Sequence, residues 1–494
     1  MEALDRRDLV ERAAKVAVAA GVAGAVPHWA FAAGPTKRQL RKLQREIHGT
    51  VVTAGEHGYA RGRLLVNTRY DGVHPDAIVY CETASDVQKT VRWARRHGIH
   101  IVPRSGRHSY AGYSTTGGVV VDVSRMHSVC GLPGKFASVA AGAKLIDVYS
   151  KLWQQHETIP AGSCPTVGVA GLALGGGIGF SSRKFGATCD AIEELTIVTA
   201  DGRRLTCNDH EHADLYWACR GGGGGNFGIV TKFKFRTHHV GSVSTFYISW
   251  PWRDAARVVK AWQGFAPHAP RSLFSVCNLS SAAGGTPTIT ASGQFFGSTG
   301  ALRRLLRPLL NAGTPSVVSI KRRSYMDAIM YWANCSSLAQ CRVLPRETFK
   351  AKSDYCLHPL SKAGRRTLIR WVEARSRMGA SGGIAAILDS YGGAINAVPK
   401  GATAFVHRNA LCSIQYYAGW SGSAGHANLN FIGRFYKAMR PYVSGFAYQN
   451  YIDPALRSWP HAYYGSNYPR LTAVKRKYDP HNVFHFRQSI RRHT

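Results

Sequence analysis

Three small-residue stretches decide what this 494-residue chain can build. A loop at 103–112 (Pro-Arg-Ser-Gly-Arg-His-Ser-Tyr-Ala-Gly) follows an apolar, strand-like run. A second, glycine-dense stretch occupies 161–179, and a third, 221–228, holds six glycines in eight residues. Glycine carries an entropic cost and is kept where a backbone must turn tightly or approach something closely. The third stretch contains a formal Gly-x-Gly-x-x-Gly at Gly223, Gly225 and Gly228. A Rossmann turn with that pattern follows a strand and opens a helix. Here a helical pattern (213–219) precedes it and a strand pattern (229–235) follows, so a Rossmann site is rejected. Neither a Gly-x-x-x-x-Gly-Lys-Ser/Thr phosphate loop nor a Gly-x-Ser-x-Gly elbow occurs, which removes the commonest nucleotide hydrolases and esterases. The other two loops remain as cradles. Successive backbone N–H groups of the first suit a pyrophosphate, and the glycines of the second admit a large planar ligand.

Periodicity around these loops alternates between strand and helix. Strand patterns at 77–80, 99–103, 119–123, 195–199 and 204–207 are interleaved with helical patterns at 36–47, 85–97 and 145–156, which argues for α/β construction. After about residue 237 the composition changes. Strands are read at 243–248, 288–296, 383–388 and 411–417, with helices at 255–265, 300–311 and 361–378, as in a sheet covered on one side. The fold class is therefore α+β.

Charge is the unusual bulk property: 63 Lys+Arg against 28 Asp+Glu, formally +35. Such an excess attracts polyanions, but the basic residues are scattered and no nucleic-acid motif accompanies them. A solubility role is preferred, with polyanion association kept open and no nucleic-acid partner expected. At the N-terminus, Arg6-Arg7-Asp8, an Ala/Gly/Val run at 16–26 and Ala30-Phe31-Ala32 follow the order of a twin-arginine export signal. The apolar run is too short to span a bilayer. Residues 1–32 are thus expected to be a leader, and the mature protein periplasmic or extracellular. Eleven cysteines suit an oxidising compartment. Cys335 and Cys341 could bridge a short loop, and no metal-ligand spacing is present.

Taken together, the loops at 103–112 and 161–179, the run at 221–231, Tyr448-Gln449-Asn450-Tyr451 and the terminal Asp479-Pro480-His481-Asn482 resemble the berberine bridge enzyme-like flavoproteins. These belong to the vanillyl-alcohol oxidase superfamily with a PCMH-type FAD-binding domain. The resemblance covers nearly the whole mature chain, in the correct order. It implies a FAD-binding domain at 36–240, a substrate domain at 241–440 whose antiparallel sheet is covered by helices, and a segment at 441–494 completing the FAD domain.

By the same resemblance, FAD would be joined twice: His108 to the ring's 8-methyl group and Cys164 to ring carbon 6. Arg104, Ser105, Gly106, Arg107, Ser109 and Gly112 would lie at the pyrophosphate. Val167, Gly168 and Gly171 would border the ring, and Asn226 and Ile229 the nucleotide. Oxidising an alcohol or hemiacetal requires a hydride acceptor and a base. A phenol, with an ordinary pKa of about 10, becomes a useful base when a neighbouring cation or phenol lowers it. The resemblance points to Tyr451 as base, Tyr110 assisting and Tyr448 in reserve. His407, Gln415, Tyr417 and Trp420 are the expected pocket residues. Gln415 stands where the plant alkaloid-forming enzyme carries a glutamate base, which disfavours carbon–carbon bridge formation. Val167 is small at the position that gates oxygen, which favours an oxidase releasing hydrogen peroxide.

These readings give an exported, monomeric oxidase of sugars or similar small alcohols. A tailoring oxidase of a secondary metabolite is the alternative. A non-catalytic, basic surface-binding protein that kept a flavin fold is the alternative from another class.

Overall fold

The computed structural model describes residues 34–343 and 346–493. The expected leader lies outside the described residues. Strand Val119–Asp122 is buried at all four positions. It forms the middle of a four-stranded sheet, parallel to both Ala77–Tyr80 and Ile101–Arg104, with Thr50–Val52 antiparallel at the edge. A Val-rich strand covered on both faces is what parallel sheets require. Helix α1 (Lys37–Glu46) and helix α2 (Ala84–His97) lie together beside this sheet. Thr83 caps the start of α2 in a capping box with Asp86, and Gly98 ends it in the left-handed region.

A five-stranded antiparallel sheet follows, ordered Val129–Leu132, Phe136–Ala140, Ile229–Arg236, Ile192–Val198, Arg204–Cys207. The two smaller sheets share one apolar core with the C-terminal helices Trp459–Tyr464 and Tyr468–Tyr478. The third sheet has seven antiparallel strands and its own core. Alternate residues such as Ile248, Ala291, Leu388 and Ile414 pack beneath helices Ala255–Phe265, Lys362–Ser376 and Gly425–Met439. The opposite face is also buried in part: Trp332 of helix Tyr325–Trp332 donates to Gln294 on it at 3.2 Å, and Ser413 and Gln415 are buried. It carries Asn278, Asp389, Ser413, Gln415 and Tyr417.

This is the α+β architecture read from the sequence, with three long strands added: Leu273–Ala282, Val317–Ser324 and Thr348–Cys356. Each departs from a simple apolar alternation. The first places Asn278 and Ser280 on that opposite face, the second is an exposed edge carrying Lys321-Arg322-Arg323, and the third buries Lys350 and Lys352 as ion pairs with Asp453. Cys335 and Cys341 form a disulfide, with Cα atoms 5.3 Å apart. Among the described residues, no helix is long and apolar enough to cross a membrane.

Candidate active site

The 103–112 and 161–179 loops meet backbone to backbone. A Cβ on Gly106 would lie 2.0 Å from the Gly168 nitrogen, and one on Gly168 would lie 2.4 Å from the Gly106 nitrogen. No other residue permits that approach. The second loop is held from behind by Leu145 and Ile146, whose N–H groups donate to the Val167 and Pro165 carbonyls. Between the loops, the 221–230 run and the C-terminal segment runs a cavity of about 280 Å³. Its wall includes Arg104, Ser105, Gly106, Arg107, His108, Ser109, Val167, Gly168, Gly171 and Ile229, together with Tyr110, Cys164, Tyr448 and Tyr451.

Two glycines test whether the cavity suits a large flat ligand. A Cβ on Gly171 would meet no protein atom within 4 Å, and one on Gly224 none closer than 3.8 Å. Protein packing does not demand glycine at either place, so the space in front of them does. With the polar 103–109 loop at the same wall, the residues fit FAD.

His108 and Cys164 come from different loops and face the same chamber. His108 Nε2 pairs with Thr166 Oγ1 at 2.9 Å, two residues from Cys164. Burial, reinforced by Lys144, lowers the imidazole pKa to about 4, so the ring is neutral near pH 7. The Cys164 side chain is reachable from the chamber yet surrounded by protein, and this desolvation, with Glu347 nearby, raises its pKa. Arg107 holds a left-handed backbone (φ 64°), the conformation that glycine adopts without cost.

Three tyrosines stand together at the same wall. Tyr110 and Tyr451 stack with ring centroids 5.3 Å apart and an interplanar angle of 13°. Tyr448 meets Tyr451 edge-on at 5.0 Å. Their hydroxyls differ in what they do. Gln415 Nε2 donates to Tyr110 Oη at 3.1 Å. Tyr448 Oη accepts from Gly177 N–H at 2.9 Å and Asn450 Nδ2 at 3.0 Å, which commits it to holding the glycine turn. Tyr451 has no hydroxyl partner among the described residues, although its ring is fixed on both sides. The expectation of a lowered phenol pKa is overturned for the protein itself. Burial pushes all three phenols up, and Asp389 is the next cause at Tyr451.

Asp389, behind the chamber wall rather than on it, acts on Tyr451 by its charge, and the sequence reading missed it. It lies opposite Ser413 in the sheet and, two residues on, Tyr391 Oη pairs with Tyr355 Oη at 3.1 Å. Burial raises the Asp389 carboxyl to about 7. An aspartate inside a strand run of apolar and small residues was the available signal.

Six expected residues stand off the chamber wall itself: His407, Gln415, Tyr417, Trp420, Gly112 and Asn226. His407 is buried behind Tyr355, stacked on it at 4.1 Å, and does not line the chamber. Trp420 falls on the helix-covered side, in step with Tyr416 and Ala418. Gly112, at φ 73°, packs on the Tyr70 ring rather than at the chamber wall. Asn226 is fully buried, donating to the Gly222 and Gly223 carbonyls and accepting from Ile490 N–H, so it braces the glycine turn. Gln415 reaches the chamber through Tyr110, and Tyr417 stacks on Phe349 beside it at 5.1 Å.

The chamber, on this pair of small sheets with a third sheet alongside, has the room and the lining for FAD, and the comparisons with known proteins define its class. Residues 75–208 match the family model for the FAD binding domain, and residues 447–491 match the model for berberine and berberine-like proteins. The FAD-linked oxidoreductase YgaK of Bacillus subtilis (strain 168) is 35% identical over 454 residues, covering 90% of this chain and 97% of YgaK. The solved structure of Physcomitrella patens BBE-like 1 superposes with a TM-score of 0.85 at 36% identity, covering 91% of this chain and 98% of that one. The xylooligosaccharide oxidase from Myceliophthora thermophila C1, solved with xylobiose, gives 0.81 at 26% identity over 92% of this chain and 99% of that one. The chain belongs to the berberine bridge enzyme-like FAD-linked oxidoreductases.

Proposed function

We propose that this protein is an exported oxidase of sugars or similar small alcohols, with FAD attached through both His108 and Cys164. The carrying observation is the Tyr451 hydroxyl: it is the one phenol of the three without a protein partner, and it shares a chamber wall with His108 and Cys164. Likeness to an oligosaccharide oxidase and the polar Gln415 behind Tyr110 support a polyhydroxylated substrate.

When bound, FAD would supply the hydride acceptor, with oxygen as the final electron acceptor and hydrogen peroxide as the product. The chain's residues do the rest. His108, neutral and oriented by Thr166, and Cys164 on the facing loop hold the cofactor from two sides. Tyr451 takes the proton of the substrate hydroxyl. Tyr110, stacked against it and fixed by Gln415, sets the ring plane, and Tyr448 anchors the turn behind. Because burial raises the Tyr451 pKa, the proton-accepting form grows with pH, and kcat/KM rises on the alkaline side. In this reading residues 1–32 direct export and 36–240, 241–440 and 441–494 are the functional segments.

Acid-precipitated protein tests the attachment. Flavin colour is expected in the pellet, and intact mass is expected to exceed the polypeptide by one FAD. His108→Ala and Cys164→Ala should each keep one linkage; bare polypeptide mass in the wild type would overturn the proposal. A peroxide-coupled panel of oligosaccharides against polycyclic alcohols separates a sugar oxidase from a secondary-metabolite tailoring enzyme.

A further inference from the structure

Helix α1 is built against its own electrostatics. Its ten residues carry Lys37, Arg38, Arg41, Lys42 and Arg45 and a single acid, Glu46. Lys37 and Arg38 stand in the first turn, where the helix dipole disfavours cations, and no acid stands there to offset them. Lys37 and Arg41, Arg38 and Lys42, and Arg41 and Arg45 place like charges four residues apart, which is repulsive. Helix α2 shows the opposite order, with Asp86 in its first turn and Arg95, Arg96 and His97 in its last.

The apolar side of α1 is satisfied: Leu40 and Leu43 are buried in the core shared with α2, and Gln39 pairs with His97 at 3.0 Å. All five α1 cations are exposed, and so are Arg92, Arg95 and Arg96 of α2, of which Arg92 donates to the Gly202 carbonyl. The ion pairs of the described residues include none of these eight side chains. A charge pattern that weakens the helix bearing it, and that finds no ion-pair partner among the described residues, calls for one outside them.

We propose that the α1–α2 face docks a linear acidic polysaccharide carrying one carboxylate per sugar ring. Lys37, Arg41 and Arg45 repeat at roughly one helical turn, about 5.4 Å, a spacing suited to widely separated carboxylates. Duplex nucleic acid presents a charge every ~3.4 Å of axis along each strand. Among the described residues, the exposed large apolar side chains are Leu132, Val317, Val318, Tyr331, Leu338 and Val343, none of them on either helix. The face therefore has nothing to stack on bases or to insert into lipid.

Polygalacturonate binding by the flavin-loaded protein tests this, measured at two salt concentrations beside duplex DNA and phosphatidylserine vesicles. Saturable binding to polygalacturonate is expected, weakening with salt. Replacing Lys37, Arg38, Arg41, Lys42 and Arg45 together by Gln should weaken it at least ~10-fold and flatten the salt dependence. Flavin content and turnover of a soluble substrate should be unchanged. The matched control replaces Arg303, Arg304, Arg307, Lys321 and Arg322 by Gln; these are exposed cations on the far edge of the seven-stranded sheet. It should leave binding within about twofold if the α1–α2 face is the site. Equal losses in both variants, tighter binding to DNA or vesicles, or no saturable binding would overturn the proposal. Should the fivefold variant fail to fold, Arg41→Gln with Arg45→Gln is expected to give an intermediate loss, and no loss would overturn it.

Discussion

The two walls of the chamber are made differently. The cofactor side is made by backbone: Gly106, Gly168, Gly171 and Gly224 each serve by lacking a side chain, and they sit in short continuous runs. The catalytic side is made by side chains from distant parts of the chain: Tyr110 from a loop and Tyr451 from the C-terminal segment at the wall, with Gln415 and Asp389 on neighbouring strands behind them. A wall of absent side chains tolerates almost no addition. A wall of present ones can lose a group and still stand.

The largest effect should come from adding single groups to the backbone wall. Gly106→Ala puts a Cβ 2.0 Å from the Gly168 nitrogen; with backbone on both sides there is no flexible group to yield, and the loss of stability should exceed ~3 kcal/mol. Gly171→Val has no such clash in the protein alone and should fold with a near-wild-type melting temperature, yet carry little flavin. Thermal unfolding and the ratio of flavin to protein absorbance separate the two. Equal flavin content in Gly171→Val and wild type would remove the distinction between the walls.

Next in size is Tyr451→Phe, which deletes one oxygen from the side-chain wall and leaves the ring stack with Tyr110 intact. Stopped-flow flavin reduction should slow by roughly 10²–10⁴-fold, with flavin attachment unaffected. Tyr448→Phe should cost less in rate and more in stability, because that hydroxyl accepts from Gly177 and Asn450.

The same contrast explains what could be read from the sequence. The backbone wall was legible because its requirement is local: 103–112 and 161–179 each state their own geometry. The wrong context for a Rossmann turn at 221–228 was equally local, and the run indeed joins helix Ala213–Ala218 to strand Ile229–Arg236. The side-chain wall was legible only where a resemblance supplied it. Which face of a strand looks into the chamber depends on register: Gln415 and Tyr417 share one face of strand Cys412–Trp420 and Trp420 lies on the other. A histidine such as His407 gives no sign in sequence that an aromatic ring, Tyr355, stands between it and the site. Lys350 and Lys352 hid a strand because their partner, Asp453, lies about a hundred residues on.

That partnership gives the third prediction, at the joint between the two walls. Asp453, two residues beyond Tyr451, takes both lysines, and all three are buried. The two ammonium groups hold its carboxyl below the usual range despite burial. Asp453→Asn leaves two buried cations without their anion, and a loss of about 3–5 kcal/mol is expected by denaturant unfolding. Adding Lys350→Met should recover part of it, since one uncompensated charge is then gone. If the double variant is no more stable than the single, the lysines are solvated some other way.

The smallest effect is the most telling about the catalytic wall. Asp389 has its carboxyl raised to about 7 by burial, and its negative charge is among the causes that raise Tyr451. Below pH 7 the carboxyl is neutral and opposes phenolate formation little; above pH 7 it ionises and opposes it. Asp389→Asn removes that opposition, so the rising alkaline limb of kcat/KM should move to lower pH, by about one unit or less. The linkage to stability has a definite sign. The folded protein binds a proton at Asp389 that the unfolded chain has already released between about pH 4 and pH 7, so stability from this group falls as pH rises through that window. In Asp389→Asn the fall should be absent, and melting temperatures of the variant and the wild type should diverge most above pH 7. A limb that stays in place while the stability profile flattens would make Asp389 a buried structural acid with no influence on Tyr451, and would leave the catalytic wall to the tyrosines and Gln415 alone.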